Sequence, residues 1–473
     1  MLTPDERPQD WTADDVVVTE PSVIRRAIGA AAIGNITEWY DFGVYAYFET
    51  TIRKVFFADL GDTAGTIATF GLFAVAFLVR PFGGMFFGPL ADRIGRNRVL
   101  ATTMILMALG TFAIGCIPSA ASIGLWAPML LLVARLVQGF STGGEYGNAM
   151  TFIAEYAPDR RRGFLGSWLE FGTFTGYLLG AIVVTVADAT MSSQTLLSWG
   201  WRIPFFVALP LGIIGVYLRA RLADTPAYLE LEKQTEERER ANAGRGFREI
   251  FRLWPFLLVC MGLVLAWNVT NYMLTSYMPT FVTSTVPGMQ GGHGVSSQTS
   301  QVLQIVVMAI ALVLIPILGL LSDRIGRKPI AWVGSIGLVA LSIPSVLLTR
   351  SDDALRVFGG LLIMGLLLIC FSATMPSTLP TLFPTNVRAG GLSIAFNISI
   401  SLFAGTTSVV VGALVSWTGD LNMPAYYLIG AGAIGAVSVW LTQEPRGRRM
   451  WGSAPAATSE EEARELVDDP RAA

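Results

Sequence analysis

Charged and polar side chains recur at helical spacing inside two long apolar stretches of this chain. The first set is Asn35, Glu38, Asp41 and Tyr45. The second set is Arg135, Gln138, Thr142 and Glu145. Residues three or four apart lie on one face of a helix, so each set predicts a single polar stripe. Arg80 and Glu170 stand alone in two further apolar stretches.

Carboxyl groups placed in this way suit the binding and release of a proton. Glu38 and Asp41, about one helical turn apart, disfavour each other's ionisation, whereas a nearby guanidinium favours it. A carboxyl group can carry a proton if a conformational change moves it between a setting that disfavours its ionisation and one that favours it. The predicted proton-coupling residues are Glu38, Asp41, Glu145 and Glu170.

The composition places these charges in a membrane. Of the 473 residues, 52% are hydrophobic and 14% are charged, against about 25% charged in a soluble domain. So few charges cannot cover a soluble protein of this length, which argues against a soluble enzyme and makes the lipid bilayer a partner. The net charge of -2 gives no support to nucleic-acid binding. One histidine, His293, and three cysteines without C-x-x-C spacing predict no metal site and no cofactor.

Twelve apolar stretches are long enough to cross a bilayer, which takes about 20 residues. Spans 1 to 12 are predicted at 27–48, 66–90, 98–118, 126–154, 163–187, 203–221, 255–283, 299–321, 329–349, 356–382, 388–417 and 423–443. The predicted organisation is an N-terminal tail (1–24), a six-helix bundle (25–221), a charged central loop (222–254), a second six-helix bundle (255–443) and a C-terminal tail (444–473).

Lysine and arginine set the predicted orientation. The loops after spans 2, 4 and 8 carry three of these residues each, whereas those after spans 3, 7 and 11 carry none. Positively charged loops stay on the cytoplasmic side of a membrane. The even-numbered loops, the central loop and both termini are therefore predicted to be cytoplasmic, in a multi-pass protein of the cell (inner) membrane.

An internal repeat indicates two related halves. Residues 88–96 (Gly-Pro-Leu-Ala-Asp-Arg-Ile-Gly-Arg) and 319–327 (Gly-Leu-Leu-Ser-Asp-Arg-Ile-Gly-Arg) are identical at seven of nine positions. They follow spans 2 and 8, and a weaker pair, 158–162 and 384–388, follows spans 4 and 10. Two related six-span halves are typical of a transporter whose site lies between the repeats.

The repeated loops carry residues that suit a clasp between the halves. Glycine permits a tight helix end, and aspartate can pair with arginine or accept hydrogen bonds from a helix N-terminus. Such a clasp would close one conformation and be released in another; the alternative is a static loop that only sets orientation. The predicted gating residues are Gly88, Asp92, Arg93, Gly95, Arg96, Gly319, Asp323, Arg324, Gly326, Arg327, Glu155, Arg162 and Arg388.

The string at 88–96 resembles the signature loop of the major facilitator superfamily. Residues 135–139 (Arg-x-x-Gln-Gly) and 155–163 (Glu-x-x-Pro-x-x-x-Arg-Gly) match further motifs of that superfamily. Over about residues 25–445 the chain is similar to its metabolite:proton symporter branch, and within it to carriers of proline and betaine. The strings that carry this similarity are 34–43 (Gly-Asn-x-x-Glu-Trp-Tyr-Asp-Phe-Gly), 80–84 (Arg-Pro-Phe-Gly-Gly), 143–146 (Gly-Gly-Glu-Tyr), 199–205 (Trp-Gly-Trp-Arg-Ile-Pro-Phe), 272–274 (Tyr-Met-Leu) and 423–427 (Met-Pro-Ala-Tyr-Tyr).

This resemblance implies an all-α membrane protein of twelve transmembrane helices in two pseudo-symmetric six-helix bundles. It implies a secondary active transporter, not an enzyme, that brings a zwitterionic osmolyte (glycine betaine or proline) into the cell with a proton by alternating access, under activation by hyperosmotic stress. Other members of the branch carry 2-oxoglutarate, shikimate or citrate with protons, so an organic acid is the alternative substrate. A non-transporting sensor on the same fold is a further alternative.

A zwitterion needs two complements in its binding site. A guanidinium suits its carboxylate, and aromatic faces hold a quaternary ammonium through cation–π contacts. The predicted substrate-binding residues are Arg135, Arg80, Asn35, Trp39, Tyr45, Gln138, Trp267, Asn268, Asn271 and Tyr272. The charged members all precede the central loop, so the first half is predicted to couple the proton and the second half to shape the pocket.

Overall fold

The computed structural model describes residue 12 and residues 16–57, 61–220, 245–291 and 294–468. The predicted central loop up to residue 244, His293 and most of the predicted N-terminal tail lie outside the described residues. The described residues are almost entirely helical, and the predicted all-α fold is confirmed.

Long helices occupy all twelve predicted spans. In chain order the helices of spans 1 to 12 are Pro21–Tyr47, Gly61–Ile94, Arg96–Cys116, Trp126–Tyr156, Arg162–Thr190, Ile203–Ala220, Trp254–Tyr272, Ser297–Ile325, Arg327–Thr349, Ala354–Ser372, Arg388–Ser399 and Met423–Leu441. Three of them continue in irregular helical turns, span 7 to Gln290, span 10 to Leu382 and span 11 to Thr418. At 1.5 Å per residue, helices of about 20 residues match the hydrocarbon core of a bilayer.

Shorter elements connect or extend the spans. The short helices are Glu49–Phe56, Ala120–Ile123, Ser193–Ser198, Arg245–Arg252, Met278–Thr280, Val286–Gln290, Met375–Thr378, Thr407–Thr418 and Glu460–Asp468. The 3-10 turns are Asp159–Arg161, Gly200–Arg202, Leu379–Leu382 and Thr385–Val387. Two strands of two residues each, Val17–Val18 and Ala456–Ala457, pair in parallel and join the two predicted tails. The sequence does not predict these strands, because two residues are too few to show an alternating pattern.

Five of the six predicted charges within the spans lie on three helices, and the sixth, Glu170, lies on span 5. Nine helices of the described chain are long and apolar enough to cross a membrane by length and composition. The other three are spans 1, 2 and 4, which hold Glu38, Asp41, Arg80, Arg135 and Glu145. All five side chains are buried inside the protein. The polar sides of these three helices therefore face one another rather than the lipid, as charge at membrane depth requires.

Irregular backbone is concentrated in the second half. Span 7 contains π-helical turns at Met273–Tyr277 and Phe281–Thr285, and span 11 contains one at Ile400–Ala404. Span 10 is interrupted after Ser372 and resumes at Met375–Thr378. Breaks in regular helical bonding are common where a helix lines a functional site. Spans 7, 10 and 11 are therefore the second-half helices to examine beside the charged spans.

The two halves meet along two pairs of helices. Span 5 packs on span 8, and span 2 packs on span 11. One large hydrophobic cluster runs through both halves and contains Trp39 and Tyr146 of the first half with Trp267 and Phe396 of the second. The core of the molecule thus lies on the boundary between the halves, where a site between repeats is expected.

Glycine lets span 4 approach span 2 closely. A Cβ at Gly143 would overlap the carbonyl oxygen of Arg80 and would lie 2.9 Å from the amide nitrogen of Gly84. Small residues at such crossings allow helix backbones to touch in a membrane, where the contact is stabilised mainly by packing. The crossing holds Arg80 at a fixed place beside span 4.

The exchange Gly143→Ala is expected to destabilise the protein, because the added methyl group must push spans 2 and 4 apart. Overpacking of this kind costs about 1–3 kcal/mol. The matched control is Gly430→Ala on span 12, where a Cβ would meet nothing within 4 Å. The midpoint of thermal unfolding in detergent should fall for the first variant and stay level or rise for the second. Equal midpoints would contradict the close crossing.

Candidate functional site

The predicted polar stripe of span 1 is buried, and its carboxyl groups meet different helices. Glu38 forms an ion pair with Arg80 of span 2, with 3.1 Å between Oε1 and Nη2. Asp41 forms another with Arg135 of span 4, with 3.4 Å between Oδ2 and Nη1. Asn35 instead turns to span 5, where it donates to the carbonyl oxygen of Leu169 at 2.7 Å. These three residues of the stripe therefore contact three different helices, spans 2, 4 and 5.

The Asp41–Arg135 pair is surrounded by residues of the first half. The Arg135 guanidinium lies 3.5 Å from the centre of the Tyr45 ring. Asp41 also accepts a hydrogen bond from Gln138 at 3.0 Å, and Gln138 donates to Thr111 at 2.8 Å. Three residues predicted to bind substrate, Arg135, Tyr45 and Gln138, thus hold spans 1, 3 and 4 together around one carboxylate.

Arg80 has a different setting, close to the second half. Its guanidinium carbon lies 5.5 Å from the centre of the Phe77 ring, which contacts the Tyr272 ring of span 7 at 5.3 Å. Within the described part of the chain, Nε and Nη1 of Arg80 have no hydrogen-bond partner. In the same described residues, the buried Tyr272 hydroxyl also has no hydrogen-bond partner. Buried donors without acceptors are costly, so this spot is suited to an anionic ligand group.

The carboxyl of Glu170 lies among hydroxyl groups. It accepts hydrogen bonds from the Tyr146 hydroxyl and, at 2.9 Å, from the Thr173 hydroxyl. Thr173 in turn accepts a hydrogen bond from Asn35 at 2.6 Å. The Ser372 hydroxyl, at the break of span 10, faces this carboxyl from the second half. The residue is buried, and its two hydrogen-bond partners belong to the first half.

Four aromatic rings cross the boundary between the halves. Tyr146 stacks on Phe396 of span 11 with 4.8 Å between ring centres. Trp39 meets Tyr146 edge-on at 6.2 Å, and Trp267 of span 7 lies 6.1 Å from Tyr146. We call Trp39, Tyr146, Trp267 and Phe396 the aromatic cluster. Its faces are of the kind that binds a quaternary ammonium group.

The remaining predicted residues of spans 4 and 7 are buried but have individual roles. Trp267 donates its indole N–H to the Ser372 hydroxyl at 2.9 Å. Asn268 donates to the carbonyl oxygen of Val264 on its own helix at 3.2 Å, and Asn271 lies one turn further on. Glu145 is buried on span 4, next to Tyr146 in sequence.

The two repeated loops make matching contacts at one end of the bundle, here called the repeat-loop end. Asp92 accepts a hydrogen bond from the backbone N–H of Gly390 at the start of span 11, at 2.8 Å. Asp323 accepts from the N–H groups of Gly163 and Phe164 at the start of span 5, both at 2.8 Å. Each aspartate thus binds the N-terminus of a helix in the other half, where a negative charge is favoured.

The glycines of the repeat share a backbone conformation and a packing role. Gly95 and Gly326 have φ of 102° and 103°, a region that residues with a Cβ rarely adopt. Each one separates two consecutive helices and so makes a tight corner. A Cβ on Gly88 would lie 3.1 Å from the Cα of Gly390, and one on Gly319 would lie 3.0 Å from the carbonyl oxygen of Gly163. The backbones of the two halves therefore come into close contact at these glycines.

Arginines at the same end occupy both buried and exposed positions. Arg388 forms a buried ion pair with Glu155 across the halves at 2.9 Å. Arg162 pairs with Asp159 within the first half, and Arg327 pairs with Asp323 at 3.1 Å. The Arg93 and Arg324 side chains are exposed, and the Arg96 side chain lies outside what the structure describes.

The C-terminal segment lies across the repeat-loop end, which sequence reasoning missed. Glu444 accepts hydrogen bonds from the N–H groups of Arg327 and Lys328 at 3.0 and 2.8 Å. The Trp451 carbonyl oxygen accepts from Arg388 at 2.7 Å. The N–H of Ala456 donates to Asp159 in the first half at 3.1 Å. The segment therefore contacts both halves, and its sequence has no periodic pattern that signals such contacts.

Other site residues were also missed by the sequence. Tyr146, Thr173, Ser372 and Phe396 have types that occur throughout apolar helices, so composition does not single them out. The available signal for Tyr146 was its place directly after Glu145 in the Gly-Gly-Glu-Tyr string at 143–146.

The sequence matches the profile of the sugar (and other) transporter family over residues 27–247 and 230–442. The chain belongs to this family. It is 45% identical over 463 residues to the proline/betaine transporter of Salmonella typhimurium, covering 97% of this chain and 91% of that one. It is 46% identical over 461 residues to the glycine betaine/proline/ectoine/pipecolic acid transporter OusA of Dickeya dadantii, with coverage of 96% and 90%.

A solved structure shows the same fold. The major facilitator superfamily proton:xylose symporter XylE, bound to 6-bromo-6-deoxy-D-glucose, aligns with a TM-score of 0.73 at 16% identity, covering 94% of this chain and 99% of that one. The predicted major facilitator fold is thereby confirmed. The chain is a transporter-family membrane protein of multiple spans and not an enzyme.

The matching aspartates predict that the repeat-loop end opens as one unit. Asp323→Ala removes the acceptor of Gly163 and Phe164, and a hydrogen bond to a charged group is worth about 1.5–3 kcal/mol. Hydrogen–deuterium exchange should become about tenfold faster or more at the start of span 5, and also at the start of span 11, where Asp92 binds.

The matched control is Asp353→Ala, because Asp353 likewise accepts a backbone N–H, that of Leu355 at 3.0 Å, but lies away from the repeat-loop end. Its effect should stay at the start of span 10. If Asp323→Ala accelerates exchange in span 5 alone, the aspartate is a local helix cap and the two contacts do not open together.

Proposed function

We propose that this protein is a secondary active transporter that moves a small zwitterionic osmolyte, glycine betaine or proline, together with a proton by alternating access. The relatives named as proline/betaine and glycine betaine/proline/ectoine/pipecolic acid transporters match nearly the whole chain at 45% and 46% identity. The buried charges between helices, the boundary position of Arg80 and the matching contacts of the repeated loops support this proposal.

The observation that carries the substrate assignment is the pairing of two kinds of group at the boundary between the halves. Arg80 offers two hydrogen-bonding positions that no described residue fills, and a guanidinium suits a carboxylate. The aromatic cluster offers the faces that a quaternary or secondary ammonium needs. A substrate carboxylate at Arg80 and Tyr272, with its ammonium toward the aromatic cluster, would contact spans of both halves.

This arrangement changes the role that the sequence suggested for Arg135. Arg135 also has two positions, Nε and Nη2, that no described residue fills, but its contacts to Asp41 and Tyr45 lie within the first half. Because it lies away from the aromatic rings of the second half, we assign it to holding spans 1 and 4 together. Arg80 takes the substrate carboxylate in its place. Asn271 and Asn268 would then line the pocket from span 7, as first predicted.

The positively charged loops support an orientation with the repeat-loop end in the cytoplasm of a cell with an inner membrane, and with both termini on that side. With the repeat-loop end closed by Asp92, Asp323 and the Glu155–Arg388 pair, the substrate would enter from the outside. Its release into the cell requires these contacts to break, which is the switch of alternating access.

Transport in proteoliposomes tests this function directly. Vesicles holding the full chain are given glycine betaine, proline, 2-oxoglutarate, shikimate or xylose under an inward proton gradient, at low and at raised osmolality. We expect accumulation of the zwitterions, its loss with a protonophore, and faster uptake at raised osmolality. Accumulation of the acids without the zwitterions would assign the protein to organic-acid symport. Binding without transport would assign it to a sensor.

Arg80→Lys tests the substrate site. Lysine keeps the charge but loses the planar fork that grips a carboxylate, so KM for betaine should rise about tenfold or more, as for a loss of about 1.4 kcal/mol. Arg350→Lys is the matched control, because Arg350 is a partly buried arginine remote from the boundary that donates to Asn422. Initial rates of labelled betaine uptake give both values. If KM is unchanged in Arg80→Lys but raised in Arg135→Lys, Arg135 and not Arg80 binds the substrate carboxylate.

A further inference from the structure

Glu170 differs from the acids of span 1 in its partners. Glu38 and Asp41 are each paired with an arginine of the first half. Glu170 is buried to the same degree, but in the described part of the chain its partners are hydroxyl groups and no ion pair is formed. A carboxyl without a cation gains or loses a proton with a full change in local charge, because nothing beside it compensates.

The partners of Glu170 connect it to the second half by two routes. The Ser372 hydroxyl of span 10 faces the carboxyl and accepts the indole N–H of Trp267 of span 7 at 2.9 Å. The Tyr146 hydroxyl donates to the carboxyl, and the Tyr146 ring stacks on Phe396 of span 11. Spans 7, 10 and 11 of the second half are therefore each connected to the Glu170 carboxyl through one or two side chains.

Protonation must rearrange this network. An ionised carboxylate only accepts hydrogen bonds, whereas a carboxylic acid must also donate one. Thr173 and Ser372 already accept hydrogen bonds from Asn35 and Trp267. Each of these oxygens can accept a second hydrogen bond. A proton on Glu170 would therefore turn the O–H of Tyr146 or Thr173, which now donates to the carboxylate, or would be donated to Ser372 beside Trp267. It would also remove the charge that makes these hydrogen bonds about twice as strong as neutral ones.

We propose that Glu170 carries the coupled proton, and that Tyr146 and Ser372 are positioning residues that link its protonation to the contact between the halves. This inference rests on the proposed proton symport and names the group within it that binds the proton. The ionised form holds spans 7, 10 and 11 in the closed arrangement of the repeat-loop end. A proton from the outside converts the carboxylate to the acid, loosens those contacts, and leaves to the cytoplasm after the switch, which restores the carboxylate.

Other charged and titratable groups face the same region and set its field. Glu38 and Arg80 face it from spans 1 and 2, Tyr177 from span 5 itself and Tyr272 from span 7. Span 8, which packs on span 5, brings Asp323 to Gly163, about two helical turns from Glu170. Glu38 and Arg80 form a pair and offset each other. Glu145 of span 4, next to Tyr146 in sequence, is a further buried acid. Glu170 is the acid that the Tyr146 hydroxyl contacts directly.

The experiment measures accumulation, exchange and proton influx in the same proteoliposomes, with a pH-sensitive dye inside. A pH gradient of one unit drives about tenfold accumulation of substrate when one proton is coupled. For Glu170→Gln we expect this accumulation and the substrate-driven proton influx to be lost, while exchange of labelled for unlabelled betaine continues. For Tyr146→Phe and Ser372→Ala we expect a smaller accumulation ratio with exchange retained, and a shifted pH profile of uptake.

Tyr40→Phe is the matched control, because the buried Tyr40 hydroxyl donates at 2.8 Å to Pro204 within the first half. It should accumulate substrate and take up protons like the unmodified chain. The inference is wrong if Glu170→Gln accumulates substrate to the full extent. It is also wrong if the pH profiles of uptake of Tyr146→Phe and Ser372→Ala are the same as that of Tyr40→Phe. If Glu170→Gln does not reach the vesicles, the other two variants decide. Failure of the unmodified chain to transport betaine or proline would instead reject the proposed function.

Discussion

A charge inside a membrane must find a partner within the protein, and this requirement organises the first half of the molecule. Leaving one charged group unpaired at membrane depth costs about 2.5–3.5 kcal/mol or more. Glu38 with Arg80 and Asp41 with Arg135 meet the requirement by pairing span 1 with spans 2 and 4. Removing one member of such a pair strands the other. The pairs therefore fix span 1 relative to spans 2 and 4, and the close glycine crossing separately brings spans 2 and 4 together.

The boundary between the halves is made differently, from contacts that can be exchanged. At the repeat-loop end, Asp92 and Asp323 bind backbone N–H groups of helices in the opposite half. Each such bond is worth only a few kcal/mol and is replaced by water when the halves separate. The C-terminal segment adds bonds to both halves, including that between Trp451 and Arg388. A rigid unit moving against another across replaceable contacts is what alternating access requires.

The sequence predicts the elements of this fold better than their partners. Twelve spans, two halves and the repeated loops follow from hydropathy and from one string repeated at 88–96 and 319–327. The spacing of Asn35, Glu38 and Asp41 correctly places them along one helix. It does not reveal that span 1 is enclosed by spans 2, 4 and 5, so that neighbours on the stripe meet different helices. Spacing reports position on a helix, whereas pairing depends on how helices of distant sequence cross.

The position of a titratable group relative to the boundary decides whether it can couple transport to a proton. A carboxyl that is paired within one half, as Asp41 is with Arg135, can change its charge while the contacts between the halves stay the same. A carboxyl with partners in both halves cannot, because each change of its charge alters the free energy of the closed arrangement. Coupling requires such a difference between conformations. Glu170 meets this condition through Tyr146 and Ser372, although in the sequence it is an isolated acid with no stripe around it.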